Sequence, residues 1–220
     1  MSRPIFSEGT LSAQVVRTQQ YLLYLPKDYN ATEKKVWPLV LSLHGVGERG
    51  TDLNNVKKNG LPKLIAAGKE YPFIGVFPQL YSATFANGWE ADILGNLLDM
   101  IEKEYNVDRK RVYVTGLSMG GFGTWDLAIT YPDRFAAAIP ICGGGNTEHI
   151  DRIKNLPVWC FHGALDNTVP VQRSIDMVEA LKKVGGNVKL TVYPNVKHDS
   201  WSQTYKNEEV INWMLQQKQE

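Results

Sequence analysis

Apolar, β-branched and aromatic residues recur along the chain in short runs, at 20–25, 39–44, 73–77, 111–115, 136–141, 158–162 and 189–193. Several runs are continuous rather than alternating, the pattern of strands covered on both faces of a parallel sheet. Between them the spacing becomes helical. Residues 96–105 carry Leu97, Leu98 and Ile101 and end in a turn rich in Glu and Lys. Residues 171–184 set Ile175, Val178, Leu181 and Val184 on one stripe, which Gly185-Gly186 stops. A helix is also predicted over 122–131, and another over 207–217 with Val210, Ile211 and Met214 facing inward. Strand alternating with helix predicts an α/β protein, with a mostly parallel central sheet and helices on both faces. The runs at 13–17 and 20–25 have no helix between them and predict an antiparallel N-terminal edge. No repeat, charge block or low-complexity linker interrupts the pattern, so a single domain over 1–220 is expected.

Composition narrows the partners. A chain of 220 residues buries roughly 70% of its unfolded surface and needs no staples. Its 24 basic and 23 acidic residues leave a formal charge of +1, with no basic stripe to hold a phosphate backbone. Nucleic acid is therefore not an expected partner, and a small or neutral ligand is. No run approaches the roughly 20 apolar residues of a spanning helix, so no membrane partner is expected. The first ten residues lack a basic segment followed by an apolar one. A cytoplasmic location is the default expectation, with a secreted or periplasmic one if a leader has been removed. Cys142 and Cys160 both lie in apolar runs and are expected as buried free thiols, with a disulfide between them as the alternative. The sequence says nothing of oligomeric state.

Gly116-Leu117-Ser118-Met119-Gly120 matches G-x-S-x-G. Alone the pattern is weak, since chance supplies roughly 0.1 match in a chain of this length. Here a strand precedes it and a helix follows, the strand-to-helix turn on which a nucleophilic serine is presented. A serine hydroxyl needs a base, and histidine is the usual one near neutral pH. In enzymes built on this motif the acid and then the histidine follow the serine. His44 precedes Ser118; His149 has no acid at a strand end before it. For His162 the acid would have to fall within a helix or its flanks. His198, on the loop after the run at 189–193, remains as general base. Asp126, Asp133, Asp151 and Asp176 fall on helices or caps. Asp199 is too close in sequence to face His198, which leaves Asp166, just past the strand at 158–162. Its work would be to orient the imidazole and stabilise the imidazolium.

His44-Gly45-Val46-Gly47 follows the run at 39–43, where such enzymes place one oxyanion donor, and the second belongs to the residue after the serine. Backbone N–H groups of Val46 and Met119 are therefore the predicted oxyanion hole, with His44 as a structural loop anchor.

With these residues assembled, the chain resembles the phospholipase/carboxylesterase-like, or predicted peptidase-like, serine esterases of the α/β-hydrolase fold. It is also similar to feruloyl and acetyl-xylan esterases. The resemblance runs from "QYLLYLPKDY" through "LHGVGERGTD", "VTGLSMGGFGTW" and "FHGALDNTVPV" to "HDSWSQTY", most of the chain. It implies that Trp89, Trp201 and Tyr205 either line the cleft or serve as half-buried packing aromatics. The stretch between 141 and 158 has room only for a short helix and loops, so no cap domain is expected. An open cleft suits short acyl esters, or esters hanging from a carbohydrate polymer. The expected function is thus a serine carboxylesterase working through an acyl-enzyme, with no cofactor and no metal. A feruloyl or acetyl-xylan esterase, a serine peptidase and a catalytically silent binding protein are the alternatives. A dienelactone-type activity is disfavoured by serine, rather than cysteine, at position 118.

Overall fold

A computed structural model of the protein describes residues 18–81 and 88–220. Seven strands among them form one sheet: β1 (Gln20–Tyr24), β2 (Trp37–Leu43), β3 (Ile74–Gln79), β4 (Val107–Leu117), β5 (Ala137–Ile141), β6 (Val158–Gly163) and β7 (Val188–Tyr193). Their spatial order is β1-β3-β2-β4-β5-β6-β7. All pairs are parallel except β1 with β3, where Gln20 faces Gln79 and Tyr24 faces Gly75. The antiparallel edge is where the sequence placed it; the run at 13–17 lies outside the described residues.

Among the described residues six helices flank the sheet: α1 (Gly60–Ala66), α2 (Ala91–Glu104), α3 (Met119–Thr130), α4 (Gln172–Lys183), α5 (Trp201–Lys206) and α6 (Glu208–Gln216). Alternation along the strands divides the core between the two faces. On β2, Leu39, Leu41 and Leu43 join the core on the face covered by α2, α3 and α4, whereas Val40 joins the core on the face covered by α1, α5 and α6. Burying a side chain such as Leu98, Leu181 or Met214 contributes about 1.5–3 kcal/mol. This two-sided cover explains the continuous apolar runs.

Two short helices, α1 and α5, had no clear hydrophobic period in the sequence. Each spans fewer than two turns, too short for a stripe to repeat. Between β5 and β6 the chain makes a single 3-10 turn, Ile150–Ile153, and builds no cap. Both cysteines are buried free thiols. Among the described residues no helix is long and apolar enough to cross a membrane.

Candidate active site

The turn from β4 into α3 carries Ser118 at φ 54 and ψ −118, one of two positive-φ non-glycine positions among the described residues. Such a conformation costs about 1–3 kcal/mol and persists only where the surroundings enforce it. Enforcement is visible in the backbone: Ser118 N–H donates to Ile141 O at 2.9 Å, and Gly121 N–H donates to Ser118 O at 2.7 Å. Gly120 makes the close approach feasible, because a Cβ there would stand 2.1 Å from the Leu43 carbonyl oxygen.

Ser118 Oγ lies 3.0 Å from His198 Nε2, and His198 Nδ1 lies 2.7 Å from Asp166 Oδ2. The structure thus brings together the three side chains chosen from the sequence. His198 is partly exposed, while the side chain of Asp166 is fully shielded. Burial alone would push the Asp166 carboxyl upward. The hydrogen bond from His198 and those from the Val169 and Thr168 N–H groups outweigh burial and hold it below the usual carboxylate range. The carboxylate is therefore charged and fixes the ring with a proton on Nδ1, leaving Nε2 free to accept from Ser118. Gly163 lets the histidine loop approach β6 closely, since a Cβ at that position would meet Lys197 O at 2.1 Å.

Met119 begins α3 and Val46 begins a 3-10 turn, Val46–Glu48, so neither backbone N–H has a partner within its own helix. Both residues line the same cleft as Ser118, a volume of about 670 Å³. Two anchors hold the Val46 loop. His44 is buried; its Nε2 accepts from Leu80 N–H at 3.0 Å, and Nδ1 lies 2.6 Å from Gly45 O. Burial lowers its pKa and keeps the ring neutral, which suits one donating and one accepting nitrogen. The other anchor is Glu48, absent from the sequence reading. Its buried carboxylate accepts from Gly45 N–H at 3.0 Å and from Asn59 Nδ2 at 2.6 Å.

The three predicted cleft aromatics separate. Trp89 lines the cleft while 6% exposed, its ring edge-on to His44 at 4.7 Å. Trp201 is half-buried, lies edge-on to His198 at 5.2 Å, and donates from Nε1 to Asn59 Oδ1 at 3.2 Å. Tyr205 is not a cleft residue. It is 2% exposed in the core beneath α5, with its hydroxyl 2.8 Å from Thr115 Oγ1. The unforeseen helix α5 is the reason: it turns Tyr205 onto the sheet. The polar side of the cleft comes instead from Arg49, Asp126, Asn146 and Thr168, none of which the sequence reading assigned to the cleft. Burial raises the Asp126 carboxyl pKa.

One trio among the described residues could hold a metal ion, Cys142, Asp166 and His198, with potential ligand atoms within 4.8 Å of one another. Asp166 and His198 are already paired there, and burial pushes the Cys142 thiol up to about 12, so it stays protonated. These donors suit proton handling better than a closed metal cage.

Fold and site together define the α/β-hydrolase class: a serine at a strained strand-to-helix turn, with acid and histidine on later loops at the carboxyl ends of β6 and β7. The chain belongs to the dienelactone hydrolase family, whose profile matches residues 76–210. Serine at position 118 bears on the activity and leaves that membership untouched. Among curated relatives, it is 30% identical over 143 residues to a bifunctional acetylxylan esterase/xylanase of Neocallimastix patriciarum, covering 62% of this chain and 20% of that protein. It is 26% identical over 188 residues to a probable feruloyl esterase C of Aspergillus terreus, covering 80% and 66% of the two. A solved thermostable esterase superposes with a TM-score of 0.76 at 35% identity, over 91% of this chain and 60% of that one. The chain spans only 20–28% of the length of the first three curated relatives.

Proposed function

We propose that the protein is a serine carboxylesterase, and that Ser118, His198 and Asp166 carry the reaction. The observation that carries this reading is the contact series Ser118 Oγ–His198 Nε2–Asp166 Oδ2, at 3.0 and 2.7 Å, on a serine held at φ 54. His198 takes the hydroxyl proton as Ser118 attacks the ester carbonyl, and Asp166 stabilises the imidazolium that forms. The Val46 and Met119 N–H groups hold the negative oxygen of the tetrahedral intermediate, each worth roughly 10²–10³ in turnover. His198 returns its proton to the departing alcohol, then activates the water that releases the acid from Ser118. No step calls for a cofactor.

Two features favour an ester attached to a carbohydrate as the substrate. Among the described residues nothing caps the cleft, and it sets Trp89 and Phe122 beside the polar groups of Arg49, Asn146 and Thr168. Such a mixture of aromatic faces and hydrogen-bonding groups matches a sugar ring and its hydroxyls. Relatives named as acetylxylan and feruloyl esterases support the same reading. The test is hydrolysis of a short-chain aryl acetate, where Ser118→Ala should lower turnover on the order of 10⁶-fold. An unchanged rate would remove Ser118 from the mechanism. A panel of methyl ferulate, acetylated xylan and aryl butyrate then ranks the substrates, and preference for the butyrate would count against the carbohydrate reading.

A further inference from the structure

His162 was set aside as a base from the sequence, yet the structure puts it on the same aspartate. It ends β6 with a fully shielded side chain, and its Nε2 lies 3.2 Å from Asp166 Oδ2 and 2.9 Å from Val169 O. Its Nδ1 lies 2.7 Å from Ser174 Oγ, which is 2.8 Å from Gly143 O. Asp166 thus accepts from Thr168 and Val169 N–H on Oδ1 and from His198 on Oδ2, while Nε2 of His162, bonded to Val169 O, stands 3.2 Å from the same Oδ2.

Proton counting fixes one end of the ring. A carboxylate and a backbone carbonyl are both acceptors, so Nε2 must carry a hydrogen. At the other end Nδ1 either accepts from the Ser174 hydroxyl or donates to it, and both arrangements leave Nε2–H in place. A bare Nε2 would set three lone-pair atoms against each other in a buried site.

We infer that His162 is a positioning residue of the triad: its Nε2–H, bonded to Val169 O, stands beside Asp166 Oδ2 and limits how strongly the carboxylate holds the His198 imidazolium. This rests on the triad roles given above. A carboxylate beside the positive end of an N–H dipole is less basic, so the imidazolium it stabilises gives up its proton more readily. His198 must both take a proton from Ser118 and return it to the leaving group, and an over-stabilised imidazolium would slow the second transfer. The other ionisable groups at this cluster are the thiols of Cys142, near Asp166, and Cys160, against Ser174. Burial pushes both up to about 12, so they stay neutral across the working range.

Three variants separate this role from packing. His162→Gln keeps an N–H at a reach close to that of Nε2, His162→Asn offers one only toward Ser174, and His162→Leu offers none. The profile of kcat/KM against pH for aryl acetate should keep its acid limb in His162→Gln. The limb should move to higher pH by on the order of half a unit or more in His162→Leu and His162→Asn. Turnover of these two should fall about ten-fold, the scale on which outer partners of a functional histidine act. A purely structural residue would lower the melting temperature of all three variants and leave the limb where it was, which would overturn the inference. Nitrogen-15 NMR of the wild type needs no variant to fold. Nε2 of His162 should be protonated at neutral pH, and a neutral ring with its proton on Nδ1 would contradict the account. The two readings fail separately: absence of ester hydrolysis removes the proposed function, whereas that tautomer removes only the role of His162.

Discussion

Ser118 is held by main chain, and His198 is held by side chains. Around the serine, the Ile141 carbonyl, the Gly121 N–H and the contact of Gly120 with Leu43 fix the turn, with Cys142 Sγ as a weak side-chain acceptor 3.3 Å from Ser118 N. Around the histidine, position depends on Asp166 through one ring nitrogen and on Trp201 against the ring. Trp201 leads in turn through Asn59 to Glu48 and so to the Gly45 N–H of the oxyanion loop. The difference teaches why a turn of five residues announces itself in sequence while its partner across the cleft does not. Backbone crowding demands particular residue types at particular spacings. A side-chain network asks only that donors and acceptors meet, from any place in the chain.

Within the side-chain half, the largest effect should come from cutting it at its centre. Asp166→Asn is expected to lower kcat on the order of 10⁴-fold, because the amide can select the wrong imidazole tautomer. It should also change how stability follows pH. The carboxyl pKa of Asp166 is depressed in the folded protein, so its contribution is complete above the unfolded value, near 3.9, and fades as pH falls through the folded one. Melting temperatures of wild type and Asp166→Asn should therefore differ most near neutrality and converge in acid. A gap that stays constant down to about pH 3 would contradict the depressed pKa.

A smaller effect is expected midway along the network. Asn59→Ala removes the partner of both Glu48 and Trp201. It should cost about 1–3 kcal/mol of stability, because the buried Glu48 carboxylate loses a donor. Steady-state kinetics should show kcat falling several-fold with little change in KM, since neither neighbour is needed to bind the ground state. A variant with wild-type kcat would show that the oxyanion loop and His198 are positioned independently.

The legibility of the molecule follows the same division. All seven strands were readable, the inner ones because cover on both faces makes their apolar runs continuous; the antiparallel edge strand was expected at 20–25, and its partner there proved to be β3. Ser118, His198 and Asp166 were reached by motif, chain order and elimination. Glu48, Asn59 and His162 were not, because a buried polar side chain looks like any other polar residue until its partner is known. Tyr205 was left open between cleft and core for a related reason. Helix α5 is too short to show a period, so nothing in the sequence said which way that ring turned.

The smallest expected effect concerns the backbone half. Ser118→Ala keeps a Cβ at φ 54, whereas Ser118→Gly relieves the strain without touching the partners. Ser118→Gly should therefore be the more stable of the two by about 1 kcal/mol in denaturant unfolding, even after the extra chain entropy of glycine. Equal stability would mean that the turn stores no strain.

Reaction with a fluorophosphonate, followed by peptide mapping, tests most directly whether three distant side chains form one working unit, because no substrate has to be guessed. The account predicts a single adduct on Ser118, formed rapidly by the wild type and slowed by orders of magnitude in His198→Ala. An adduct on another serine, or labelling of Ser118 at the same rate without the histidine, would contradict it.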